Sequence, residues 1–230
     1  MIPLVLLPGM ICDARMWGPQ IAALSGCHTL HLPAISQHDN MQDIARVILD
    51  AAPPRFALAG LSMGGIISMN IVAQAPGRVA KIALLDTNPL AETAAVSARR
   101  GPQIQRVLDG GLEAVMRDEM KPLYLADTPQ KGEILDLCMA MARALGPQVF
   151  ARQSRALATR PDQTAALRAF TRPALVLTGE HDIPCPRDRH DLMHALMPQS
   201  RLVVIAGAGH LPVLEKPDET TAALIRWLEE

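Results

Sequence analysis

The chain has 230 residues, 49% of them hydrophobic and 20% charged, which is enough apolar material for a buried core and too much for intrinsic disorder. Its 22 basic and 23 acidic side chains leave a formal net charge of -1, so neither nucleic acid nor an anionic membrane finds an electrostatic footprint here. With three Phe, two Trp and one Tyr, base-stacking platforms are disfavoured too, and aliphatic residues with twelve Met must fill the interior.

The first apolar run, Ile2 to Leu7, has no basic segment before it and is bracketed by Pro3 and Pro8, so it reads as a strand rather than a signal segment. Further strand-like runs follow at Thr29–Leu32, Arg55–Ala59, Val79–Leu85, Ala174–Thr178 and Arg201–Ile205. Helical patterns lie between them at about 17–25, 40–51, 65–75, 187–196 and 217–229. Strand and helix in alternation, with strands apolar throughout rather than every second residue, predict an α/β fold. Its expected form is a mostly parallel sheet of about six strands covered by helices on both faces.

That alternation stops from 88 to 170, where the sequence is helix-forming and punctuated by Gly101-Pro102, Gly110-Gly111, Pro122, Pro129 and Gly146-Pro147. Four or five short helices are expected there, forming an inserted cap over the C-terminal edge of the sheet. The predicted division is a core of 1–87 and 171–230 with a helical cap (lid) of 88–170. No uncharged apolar run reaches the roughly 18 residues of a membrane span. Cys12, Cys27, Cys138 and Cys185 form no CxxC and no dense framework, the usage of a reducing compartment, so the expected location is cytoplasmic.

The most informative segment is Phe56 to Ile66, an apolar strand, then Gly60-Leu-Ser62-Met63-Gly64, then a helix. In G-x-S-x-G the serine sits on a sharp strand-to-helix turn that needs small neighbours and lifts Oγ to the sheet edge. Gly60, Gly64 and Gly65 do not fit G-x-G-x-x-G, and no Gly-Lys-Ser/Thr follows, so phosphate-binding readings are weak. A serine near neutral pH needs a base. His210, in the Gly207-Ala-Gly209-His210 loop after the last strand, is placed for it. His28 and His31 flank or lie in the second strand and His38 follows it in a polar loop, and all three read as structural or solvent-facing. The acid that orients the base is assigned to Asp182, in Gly179-Glu-His-Asp182 beyond the penultimate strand, with Asp86 at the end of the fourth as the alternative. The chain order Ser…Asp…His, one residue from each of three strand-end loops, is the order of α/β-hydrolases.

On Leu6-Leu7-Pro8-Gly9-Met10, Gly60 to Gly65, Gly179 to Asp182 and Gly209-His210, the chain resembles the α/β-hydrolase superfamily, in particular its small-lid esterases of the pimeloyl-carrier-protein methyl ester esterase type. The resemblance implies an oxyanion hole from the backbone N–H groups of Met10 and Met63. Pro8 stands where the family usually has histidine, and the sheet begins almost at the loop strand, two strands short of the common pattern. The activity implied is hydrolysis of a carboxylic ester or thioester, free or carrier-linked, through an acyl-enzyme. The same triad also serves cofactor-free C–C hydrolases, lyases and perhydrolases, and a non-catalytic ligand receptor is a third reading.

Other features carry less. His190-Asp191-Leu-Met-His194 is close to H-E-x-x-H, but with no third ligand evident it reads as an exposed helix face. Cys185, between two prolines, reads as a passive thiol, and Arg152 and Arg155 as solvated. Met116, Met120, Tyr124 and Met139 are the candidate acyl-pocket residues of the cap, because thioethers adapt to flexible chains. No metal and no organic cofactor is called for.

Overall fold

The structure, a computed structural model, describes residues 2–230. Its sheet has six strands, β1 (Leu4–Leu7), β2 (Leu30–His31), β3 (Phe56–Leu61), β4 (Val79–Leu85), β5 (Ala174–Gly179) and β6 (Arg201–Ile205), in the order β2-β1-β3-β4-β5-β6. Every pairing is parallel. β1, β3 and β5 are buried along their whole length, which is why they read as continuous apolar runs.

Alternate residues of those strands feed two cores. Val5, Leu7, Leu58, Ile82, Leu84 and Val176 face one. Leu4, Leu6, Ala57, Ala59, Ala83, Leu85, Leu175 and Leu177 face the other, with Trp17 and Trp227. Helices α1 (Gly18–Leu24), α2 (Met41–Ala51) and α3 (Met63–Gln74) belong to the first half of the chain. α3 is buried from Met63 to Val72, which its lack of a polar face foretells.

Between β4 and β5 the described chain is helical, with no strand: α4 (Ala94–Arg106), the short α5 (Leu112–Ala114), irregular turns to Leu123, α6 (Lys131–Ala158) and α7 (Thr164–Arg168). After β5 come α8 (Arg187–Leu196), α9 (Pro212–Glu215) and α10 (Pro217–Glu229). The expected breaks do not all behave alike. Gly110 (φ 99) and Gly146 (φ 80) do interrupt their helical runs, but α4 continues through Gly101-Pro102. No residue of α4 is buried, so water can take up the carbonyl that Pro102 leaves without a donor.

α6 has the length and hydropathy of a membrane span, yet it is broken at Gly146 and buries Ile134, Cys138, Met141, Phe150 and Gln153, among others, in the protein. It is a core helix. The second strand is shorter than its apolar run, two residues rather than four, as suits a sheet edge. The chain runs from β1 out to β2 and then back across β1 to β3. The crevice between β1 and β3 is therefore the topological switch point, where open α/β sheets bind ligands.

Candidate active site

The loops at the C-terminal ends of β1, β3, β4, β5 and β6 meet at that crevice. Ser62 follows β3 directly with φ 55 and ψ -116, a left-handed conformation that costs a non-glycine residue energy. Its N–H donates to the Leu85 carbonyl at 2.9 Å, and its own carbonyl accepts from Thr87 Oγ1 at 2.7 Å. The turn closes only because its neighbours lack side chains: a Cβ on Gly60 would strike the Gly64 carbonyl, and one on Gly64 the Leu7 carbonyl. The other positive-φ residues that are not glycine, Ile11 and Asp86, lie just past β1 and β4, so backbone strain is concentrated at this edge.

His210 Nε2 is 2.9 Å from Ser62 Oγ, and His210 Nδ1 is 2.8 Å from Asp182 Oδ1. With Nδ1–H donating to the carboxylate, Nε2 is left to accept the serine proton. The ring is 1% exposed. The His210 backbone N–H donates to the Tyr124 carbonyl at 2.6 Å, and the Tyr124 ring stands edge-on to the imidazole at a centroid distance of 4.9 Å. Glu215, which the sequence did not single out, holds this loop. Its carboxylate accepts N–H groups from Gly209 and Leu211 at 3.0 Å and from Ala126 of the 88–170 insert at 2.7 Å. Only the acidic side chain three residues past a G-H-L-P run signalled it.

Asp182 and Asp86 divide the acid position between them. Burial alone would raise Asp182, but the His210 charge and hydrogen bond, with the Cys185 N–H (2.9 Å) and Asp86, bring its carboxyl below the ordinary value. Asp86 goes the other way. Complete burial, then the Asp182 charge, drive it well above, against one N–H bond from Gly179 at 2.8 Å. Two carboxylates this close cannot both ionise, so Asp182 carries the charge and Asp86 the proton. His190 also lies here and is buried, a correction to the exposed-face reading; the proline-bounded turn before α8 points it inward. Its Nε2 accepts the Thr87 N–H at 3.3 Å, and burial pulls its pKa down to about 4 despite the Asp182 charge. His194 instead meets Ser200 Oγ at 2.7 Å, so the two histidines share no ligand position. Burial, with the Asp182 charge, holds the Cys185 thiol protonated and poorly nucleophilic.

Met10 and Met63 border the same cavity as Ser62 and His210. Met63 is the first residue of α3, so its N–H has no acceptor within the helix. Around Met10 the neighbouring amides are engaged: Gly9 with Met16 Sδ at 3.5 Å and Ile11 with Gln153 Oε1 at 2.8 Å. Gln153, fully buried on α6, also donates to the Ile35 carbonyl at 3.2 Å, and so fixes the loop that has Pro8 in place of histidine.

The cavity measures about 310 Å³. Met120 and Tyr124 line it, whereas Met116 and Met139 do not; both are buried in the core beside Val115 and Phe150. Their apolar pattern serves packing, which periodicity cannot tell from a pocket wall. Arg152 donates to the Ser36 carbonyl at 2.8 Å. The arginines that do reach the cavity are Arg100, Arg160 and Arg189. Nothing in their local sequence marked them.

A parallel sheet with a strained serine turn at its switch point, an imidazole and a carboxylate in hydrogen-bonded succession, defines an α/β hydrolase. The chain matches the alpha/beta hydrolase family over residues 4–224 and belongs to it. Among curated proteins it is 27% identical to a pimeloyl-[acyl-carrier protein] methyl ester esterase of Nitrosomonas europaea, over 94% of this chain and 91% of the relative. A thermophilic esterase from Thermogutta terrifontis superposes with a TM-score of 0.91 at 27% identity, covering 100% of this chain and 90% of that one. The enol-lactonase of Burkholderia xenovorans shares the fold at TM-score 0.86 and 22% identity, covering 100% and 92%. The protein is an enzyme of the hydrolase class.

Proposed function

We propose that the protein hydrolyses a carboxylic ester or thioester through an acyl-enzyme, with Ser62 as nucleophile, His210 as general base and acid, and Asp182 as the orienting carboxylate. The observation that carries this is the unbroken chain Ser62 Oγ–His210 Nε2 (2.9 Å) and His210 Nδ1–Asp182 Oδ1 (2.8 Å) at the strained turn. Ser62 Oγ attacks the acyl carbonyl as its proton passes to Nε2. The oxyanion that forms is held by the Met10 and Met63 N–H groups, whose loss one at a time would cost about 3 kcal/mol of transition-state stabilisation. The tetrahedral adduct then collapses: the carbonyl carbon's bond to oxygen or sulfur breaks, and Nε2–H protonates the leaving alkoxide or thiolate. Water repeats the attack with His210 as base, releasing the acid and free Ser62.

The relatives named as esterases of a carrier-protein-linked methyl ester support a substrate of the same kind. The insert of 88–170 acts as the lid of the acyl pocket, with Met120 and Tyr124 as its apolar contacts. Four unpaired cysteines agree with action in the cytoplasm. The test is stoichiometric labelling by a fluorophosphonate together with turnover of 4-nitrophenyl esters. Ser62→Ala is expected to abolish both, and wild-type turnover in that variant would overturn the assignment.

A further inference from the structure

One wall of the Ser62 cavity has no part in the acyl-transfer steps. It is formed by Arg100 on α4, Arg160 just past α6 and Arg189 on α8, with Glu92 between the first two. Glu92 accepts from Arg100 Nε at 3.0 Å and pairs with Arg160 Nη2 at 3.1 Å. The three side chains are largely buried, at 5% exposure for Glu92, 15% for Arg100 and 11% for Arg160. One carboxylate thus serves two guanidiniums, and Arg160 Nε has no hydrogen-bond partner. Arg189 adds a third cation, whose own counter-ion is an outward-facing Asp188 at a loose 3.4 Å. The Asp182 carboxylate is turned to His210 and the Cys185 N–H.

A desolvated site with surplus positive charge and an idle donor is costly unless something anionic completes it. Guanidinium forks match the planar oxygens of carboxylate and phosphate. The cavity is at the small end of the range for small-molecule sites, so a group bound at this wall shares the space with the acyl carbonyl at Ser62.

Resting on the ester-hydrolase reading, we infer that Arg160, with Arg100 and Arg189, forms an anion subsite, and that the preferred substrates carry a negative group besides the scissile ester or thioester. The anion is a carboxylate on the acyl chain or a phosphate on the leaving group.

Two matched pairs of probes separate these sources. The first is 4-nitrophenyl hydrogen glutarate against its methyl-capped diester. The second is S-acetyl-4′-phosphopantetheine against S-acetylpantetheine. Wild-type kcat/KM should favour the charged member of at least one pair about tenfold or more, mostly through KM. Preference in the first pair assigns the carboxylate, and in the second the phosphate. Arg160→Gln and Arg189→Gln should each cut that charged-to-neutral ratio severalfold, and Arg160→Lys should retain part of it. Reading the ratio cancels any general loss of activity, and the fluorophosphonate labelling rate of Ser62 reports an intact site in each variant. Wild-type ratios near one in both pairs, or ratios untouched by both Gln variants, overturn the subsite while leaving the hydrolase reading in place. No turnover of any probe and no labelling of Ser62 would overturn the hydrolase reading, and this inference with it.

Discussion

The C-terminal edge of the sheet and the helical segment between β4 and β5 are stabilised by different means. At the edge, three residues with positive φ (Ile11, Ser62 and Asp86) are held by buried hydrogen bonds to other strands and to α6. In that segment α4 has no fully buried residue, and its contacts with the following turns include the exposed pair Arg106–Glu119 (2.7 Å). A second exposed set links Glu113 with Arg117 and Arg143 at 3.1 and 3.0 Å. Such surface pairs contribute about 0–1 kcal/mol each, whereas a strained backbone persists only where its surroundings over-determine it. The difference teaches a division of labour. The candidate reacting groups stand on strained backbone tied by buried hydrogen bonds, whereas Met120, Tyr124, Arg100 and Arg160 of the cavity wall come from the helical segment.

Four changes would break or sharpen that contrast, beyond the loss expected of Ser62→Ala. The largest effect is expected from Asp182→Asn, which deprives the imidazole of its orienting charge and should lower kcat about 10⁴-fold. Asp86→Asn should be mild by comparison, because a carboxyl already held neutral is replaced by a neutral amide of the same shape. Steady-state kinetics on one 4-nitrophenyl ester compares the two, and a reversed order would move the acid role to Asp86.

The second is a stability effect under the edge. His190 is buried neutral with its pKa at about 4 against an ordinary 6.5. Above pH 6.5 its contribution is fully present; as pH falls toward 4 the unfolded chain takes up a proton that the folded one refuses, and stability drops by about 3 kcal/mol. Urea midpoints of His190→Gln between pH 7 and 4 should lack that part of the wild-type slope. An unchanged slope would mean the ring is not buried neutral. Asp86 gives the opposite sign. Its carboxyl stays protonated in the fold while the unfolded chain ionises above 3.8, so its burden on stability grows with pH and Asp86→Asn should relieve it on the alkaline side.

A third, smaller effect tests how firmly the insert supports the edge. Gln153→Leu removes the acceptor of the Ile11 N–H and should lower kcat about tenfold with little change in KM, as the Met10 amide loses its aim. A KM effect alone would mean that the loop does not depend on Gln153. The smallest is expected on the wall: Met120→Ala should alter preference between short and medium acyl chains about threefold. Met116→Ala, in the core, should leave that preference alone and instead lower the thermal midpoint. A graded series of 4-nitrophenyl esters reads both.

The strand runs at Val79–Leu85 and Arg201–Ile205 and the helix patterns of α2, α8 and α10 were legible in the chain to within a residue or so, because burial on two faces and the 3.6-residue period write themselves directly into residue type. The glycines around Ser62 were legible for a similar reason: the close approach of Gly64 to the Leu7 carbonyl admits no side chain. Local chemistry thus determined the fold class, the strand-to-helix turn and the order in which serine, acid and imidazole occur. It could not determine which of two strand-end carboxyls keeps the charge, that Gln153 would brace a loop far from it in sequence and Glu215 tie the His210 loop to Ala126, that Met116 and Met139 would turn inward, or that three arginines from separate segments would line one cavity. Those outcomes depend on distances between elements, and so on desolvation and Coulomb interactions that arise only when remote segments are packed together.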